Sequence, residues 1–137
     1  MKSVILVFLA ALQLLTLQVA HSESSLNPCD SLNNSHQVFM CSEHSKKQAD
    51  HKLNESYNRL LRRVDTQYSP DPEIRISFIS TIKKSQRAWI VLRDANCAVE
   101  SFEIEADSEA HTTTINNCVA RMSQERADYL DRISPQI

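Results

Sequence analysis

Apolar positions recur along this chain at intervals of three and four, the spacing that gathers side chains on one face of an α-helix. From Ser35, a residue suited to N-capping, to about Val64 the stripe reads Val38, Cys41, Ala49, Leu53, Tyr57, Leu60 and Val64, thinning between Ser42 and Gln48. The stretch from Tyr68 to Glu73 breaks the pattern. Pro70 and Pro72 disfavour helix in the residues before them, while Asp71 and Pro72 form a cap and first-turn pair. A second helix is predicted from Pro72 towards Ala106, with Ile74, Phe78, Ile82, Trp89, Leu92, Val99 and Phe102 as its core side. A straight helix of that extent would run about 50 Å, so a bend or an end soon after Cys97 is expected. Thr112 or Thr113 can cap a third helix that carries Ile115, Cys118, Met122, Tyr129 and Ile133, with Val119 and Leu130 adjacent. Short connections make sequential helices antiparallel. The predicted fold class is all-α, a small antiparallel three-helix bundle.

The start of the chain follows a different rule. Lys2 supplies a minimal positive start, and Val4 to Leu17 is mostly apolar. That run is too short for a bilayer, which needs about 20 residues. Ala20-His21-Ser22 places small residues where a signal peptidase reads them. Residues 1–22 are therefore expected to be a cleaved signal peptide, 23–34 an extended N-terminal arm, and 35–134 one helical domain. The mature chain is expected to be periplasmic or secreted, without stable membrane insertion.

Composition narrows the function classes. Fifteen basic against seventeen acidic residues give a net charge of −2, which argues against a nucleic-acid binder. The absence of glycine from the sequence disfavours hairpin-rich β folds and phosphate-cradling loops. Cys29, Cys41, Cys97 and Cys118 in a small exported chain read as two disulfides. Sequential pairing, Cys29–Cys41 with Cys97–Cys118, is preferred. Cys41–Cys97 with Cys29–Cys118 also satisfies the helix lengths and stays open.

The second helix carries a polar seam. Ile82, Gln86, Trp89, Arg93 and Cys97 share one stripe, and buried polar groups need partners. Counting outward from the connections places Asp50 near Gln86 and Arg87, so that Asp50 and Asn54 meet this seam, and pairs Asp94 with Arg126. Catalysis finds no support, because no serine sits in a nucleophile elbow and the cysteines are better explained as disulfides. His44 and His51 lack the context of a metal site, and no metal or cofactor is expected. Glu100, Glu103, Glu105, Asp107 and Glu109 form an acidic stretch with no intervening base. Such a stretch suits docking on a basic protein surface.

Two separated patterns carry a family resemblance. The first is Cys41 followed by Ala49-Asp50-x-x-Leu53-Asn54-x-x-Tyr57. The second is Gln86-Arg87-Ala88-Trp89-x-x-x-Arg93-Asp94-x-x-Cys97, followed by Cys118 and Glu125-Arg126-Ala127. In this order they resemble the LprI-like lysozyme inhibitor domain of exported bacterial proteins, from about Cys29 to Ile133. The chain departs from that pattern in having no glycine between Asp107 and Thr114. The resemblance implies a helical, non-enzymatic binding protein that blocks a lysozyme or related peptidoglycan hydrolase by non-covalent docking. Asp50, Asn54, Tyr57, Gln86, Trp89, Arg93, Asp94 and Arg126, which carry it, read as fold determinants. The alternatives are an envelope structural or adaptor protein without inhibitory activity, and an immunity protein to a secreted wall-degrading effector.

Overall fold

A computed structural model describes residues 27–133 of the chain. The expected signal peptide and the first part of the arm lie outside the described residues. Three helices make up the fold: α1 (Ser35–Gln67), α2 (Pro72–Glu100) and α3 (Glu109–Arg132). No strand occurs among the described residues. Sequential helices run antiparallel, so α1 and α3 lie parallel.

Each helix begins on a side-chain cap, which satisfies backbone donors left over in the first turn. Asn34, not Ser35, caps α1, its side-chain oxygen accepting from the Gln37 N–H at 3.0 Å. Asp71 caps α2 as expected, accepting from Ile74 at 3.1 Å with Pro72 in the first turn. Ser108, not Thr112 or Thr113, caps α3, accepting from His111 at 3.0 Å. Its hydroxyl also donates to the Glu105 carbonyl at 2.7 Å, which fixes the turn ahead of the helix.

The second helix ends earlier than Ala106. Ser101 is buried, and its hydroxyl donates to the Cys97 carbonyl at 3.1 Å, sharing that acceptor with the Ser101 backbone N–H at 3.2 Å where the helix ends. The chain then turns through Phe102–Ile104 and reverses at Asp107, whose φ of 64° is left-handed. Glycine would be the default there, and aspartate is among the few other residues that tolerate it.

The core lies mainly between α1 and α3. Leu53, Leu60 and Val64 of α1 meet Ala127 and Leu130 of α3, and α2 contributes Ile82. Tyr57, Phe78 and Trp89 pack against this cluster from its edge. A second cluster surrounds the Cys97–Cys118 bond, with Val119, Ile115 and Met122. The disulfides pair sequentially, Cys29–Cys41 tying the arm to α1 and Cys97–Cys118 tying α2 to α3.

Several residues assigned to the core face solvent instead. Leu92 is 54% exposed, Val99 74% and Phe102 85%, so the far end of α2 shows an apolar flank to water. Ile74, Val38 and Tyr129 are exposed as well. The reason is packing. Periodicity identifies an apolar face but not whether a neighbour covers it. Here α2 crosses the α1–α3 pair with one stripe, centred on Ile82, Trp89 and Cys97, and its other apolar residues find no helix opposite.

Candidate functional site

Two polar systems and one loop hold the chemistry of this molecule. The first system runs the length of the α1–α3 contact. His36 meets Glu109 at 3.0 Å, Asn116 donates to Ser42 at 3.3 Å, and Ser123 donates to Asp50 at 3.1 Å. Further along, Lys52 reaches Asp128 at 2.7 Å, and Ser56 donates to Asp131 at 2.9 Å. Arg59 grips Asp131 through Nη2 at 3.1 and 2.9 Å. Sequence separations of these pairs stay between 72 and 76, as two parallel helices in fixed register require.

Charge-assisted hydrogen bonds hold two carboxylates of this seam below the usual carboxylate range. For Asp131 the largest cause is the bond from Arg59. For Asp128 it is the bond from Lys52, followed by that from Gln124. Ser42, Ser56 and Ser123 are buried at the contact, and their small size lets the helices approach. The apolar stripe passed over these serines. Their seven-residue spacing in α1, Ser42–Ala49–Ser56, was the available signal.

The second system surrounds Trp89. The Arg93 guanidinium carbon sits 5.3 Å from the Trp89 ring centroid and that of Arg126 sits 5.7 Å away, both within cation–π range. Arg93 bonds Asp94 through Nε at 2.9 Å and approaches Asp50 at 3.5 Å, so Asp50 does meet the seam. Asn54 does not, because it lies on the exposed side of α1. Asp94 does not pair with Arg126 either. Arg126 donates to Gln86 at 3.1 Å and to Ser85 at 2.9 Å, two turns of α2 away from Asp94.

α2 ends at Glu100 and α3 begins at Glu109, earlier than a connection over Asp107–Thr113 implies. In the register fixed by Cys97–Cys118, Arg126 passes Asp94 and reaches Gln86 and Ser85. Burial pulls the Arg126 pKa below its ordinary value, and among the described residues no carboxylate offsets that burial.

The loop between α2 and α3 carries the acidic stretch. Glu100 is engaged by Arg121 and Glu109 by His36. Glu103, Glu105 and Asp107 are exposed and form no ion pair among the described residues. Phe102, also exposed, lines a shallow groove with Val99 and Glu103. The Cys97–Cys118 bond and buried Ser101 anchor the loop at its base.

Among the described residues no group of three His, Cys, Asp or Glu side chains gathers as a metal site, and no helix is long and apolar enough to cross a membrane. His44 and His51 line a shallow cleft with Gln48, Lys52 and Glu55.

Fold and cysteine pairing define a small, disulfide-stapled helical domain built around a Trp–Arg seam. The profile of the family described as "Lysozyme inhibitor LprI" matches residues 29–130, and the chain belongs to that family. A solved structure of a DUF1311 family protein from Pseudomonas putida KT2440 is 31% identical, with a TM-score of 0.68. The match covers 76% of this chain and 100% of that one. An uncharacterized protein of Rhizobium meliloti (strain 1021) is 25% identical over 97 residues, 69% of each chain.

Proposed function

We propose that this chain is an exported, non-enzymatic binding protein that docks on a lysozyme or related peptidoglycan hydrolase through the α2–α3 loop. Membership in a family described by lysozyme inhibition supports the target class. Two disulfides suit an oxidising compartment outside the cytoplasm, and the expected signal peptide over residues 1–22 supplies the route.

The observation that carries the docking loop is Phe102, 85% exposed beside Val99 and Glu103, on a loop that also carries exposed Glu105 and Asp107. A large aromatic exposed on an anchored turn is free to contact a partner. Central aromatics within a polar rim are the usual energetic anchors of protein interfaces. Lysozymes of the common vertebrate type are basic, with a carboxylate-lined cleft. The acidic rim steers approach to their outer surface, and Phe102 supplies apolar contact after docking. Inhibition then follows from occlusion, without covalent chemistry or turnover.

The test is clearing of cell-wall substrate by chicken-type and goose-type lysozymes with and without the purified chain. Wild-type protein is expected to slow clearing, with F102A weakening binding by about tenfold or more. The E103Q/E105Q/D107N variant is expected to associate more slowly and to lose its dependence on salt. Binding without inhibition would favour the adaptor reading. An F102A variant that binds as wild type would remove the loop from the interface.

A further inference from the structure

Arg93 and Arg126 share one indole ring and differ in what balances them. Arg93 has Asp50 and Asp94 within 3.5 Å. Arg126 has only neutral partners: the side chains of Gln86 and Ser85, and the ring faces of Trp89 and Tyr129 at 5.7 and 5.0 Å. A half-buried cation without a counter-charge loses hydration that neutral oxygens and π faces only partly replace. Of the five guanidinium donors, Gln86 takes the Nε–H and Ser85 takes one from Nη2. The rest of the fork is left unengaged by the described residues.

That fork borders a cleft of about 250 Å³ between the three helices. Leu60, Phe78, Ile82, Leu130 and Ile133 form its apolar wall, while Ser85 and Tyr129 add hydroxyls near Arg126. One cationic end and an apolar interior describe a small amphipathic ligand. The charge must be single. Arg93 is already balanced, and Arg63 spends Nη2 on the carbonyls of Leu130 and Ile133, each at 3.0 Å. A phosphate dianion would find no second cation.

We propose that this cleft is a binding site for a monocarboxylate carried on a short apolar group, with the carboxylate held by the Arg126 fork. Either a free aliphatic acid or the C-terminal carboxylate of an apolar residue presents that chemistry. The site lies apart from the docking loop and does not depend on the lysozyme reading.

Trp89 is the chain's only tryptophan, so its fluorescence reports the site directly. The full chain is titrated with hexanoate, hexanamide, N-acetyl-leucine and inorganic phosphate. Hexanoate is expected to change Trp89 emission saturably and to raise the melting temperature. Hexanamide, the same shape without the charge, should bind at least about tenfold more weakly, and phosphate should give no saturable change. N-acetyl-leucine binding more tightly than hexanoate would identify a peptide C-terminus as the ligand class, and the reverse a free acid. R126Q with wild-type helical content should lose hexanoate binding, and R126K should recover part of it. Equal binding of hexanoate and hexanamide, no saturable response to either acid, or undiminished hexanoate binding by folded R126Q would each overturn the proposal. Should R126Q not fold, the hexanoate–hexanamide comparison on the wild-type chain still decides.

Discussion

The α1–α3 contact and the outer flank of α2 are both written with residues at helical spacing, yet one is sealed and the other is wet. Along the first, small residues (Ser42, Ala49, Ser56, Ser123, Ala127) alternate with Leu53, Leu60 and Leu130, and all are buried. Along the second, Ala88, Val91, Leu92, Ala95, Ala98 and Val99 are all exposed. Apolar content does not separate the two, since the sealed contact contains more hydroxyls and charges than the wet one. Paired register does. Parallel helices in fixed register bring matched hydroxyls, carboxylates and guanidinium groups into contact turn after turn, and each buried polar group there finds a partner. Among the described residues no buried side-chain nitrogen or oxygen is left unbonded. Single-stripe contact leaves α2 with apolar surface to spare, and a partner protein is one use for it.

The contrast is open to direct attack, and the largest effect is expected from leucines. Leu60→Ala removes a fully buried side chain at the contact and should cost about 2–5 kcal/mol in chemical denaturation. The same change at exposed Leu92 should stay within about 0.5 kcal/mol. Equal losses at the two positions would mean that the outer flank of α2 is covered in solution. Replacing Cys97 and Cys118 together by serine should cost roughly 3 kcal/mol, because it frees the loop that holds α2 to α3. Loss of lysozyme binding in that variant at a temperature where it remains folded would show that the anchored turn matters beyond stability.

A smaller effect should come from Ser123→Ala, about 1 kcal/mol, as Asp50 and Arg93 lose a shared hydroxyl. Acid should act on the sealed contact. Asp128 and Asp131 have folded pKa values held below their unfolded values. Their contribution is thus fully present above the unfolded pKa, about 4, and is lost as pH falls through the lowered folded value. Wild-type stability should fall over that acid window, and the D128N/D131N variant should show a flatter dependence there. Identical acid limbs would mean that Lys52 and Arg59 do not stabilise the register.

Much of this arrangement was legible in the sequence, for local reasons. Three helices, the break at Tyr68–Glu73 and the Asp71–Pro72 start follow from periodicity and proline geometry, whereas the sequential disulfides were one of two pairings that the helix lengths allowed. Asp50 does meet the polar seam of α2, but at Arg93, about two turns beyond the Gln86–Arg87 position that the count across the proline-marked turn gives. Capping residues were displaced by one to five positions, since Asn, Ser and Thr compete for that role wherever they cluster ahead of a helix. Here Asn34 precedes Ser35, and Ser108 precedes Thr112.

What only the tertiary structure decided is which apolar faces have neighbours and which charges have partners. Burial of Ser42, Ser56 and Ser123 follows from the α1–α3 register, and exposure of Leu92, Val99 and Phe102 from the absence of a helix opposite them. The pairing of Asp94 with Arg93, and of Arg126 with Gln86 and Ser85, follows from the placement of α2 against α3. The end of α2 is set by the buried Ser101 and the Cys97–Cys118 bond. A sequence specifies the period of each helix, but the relative placement of two helices is a sum over the whole contact. A shift of one turn in the connection reassigns every partner beyond it.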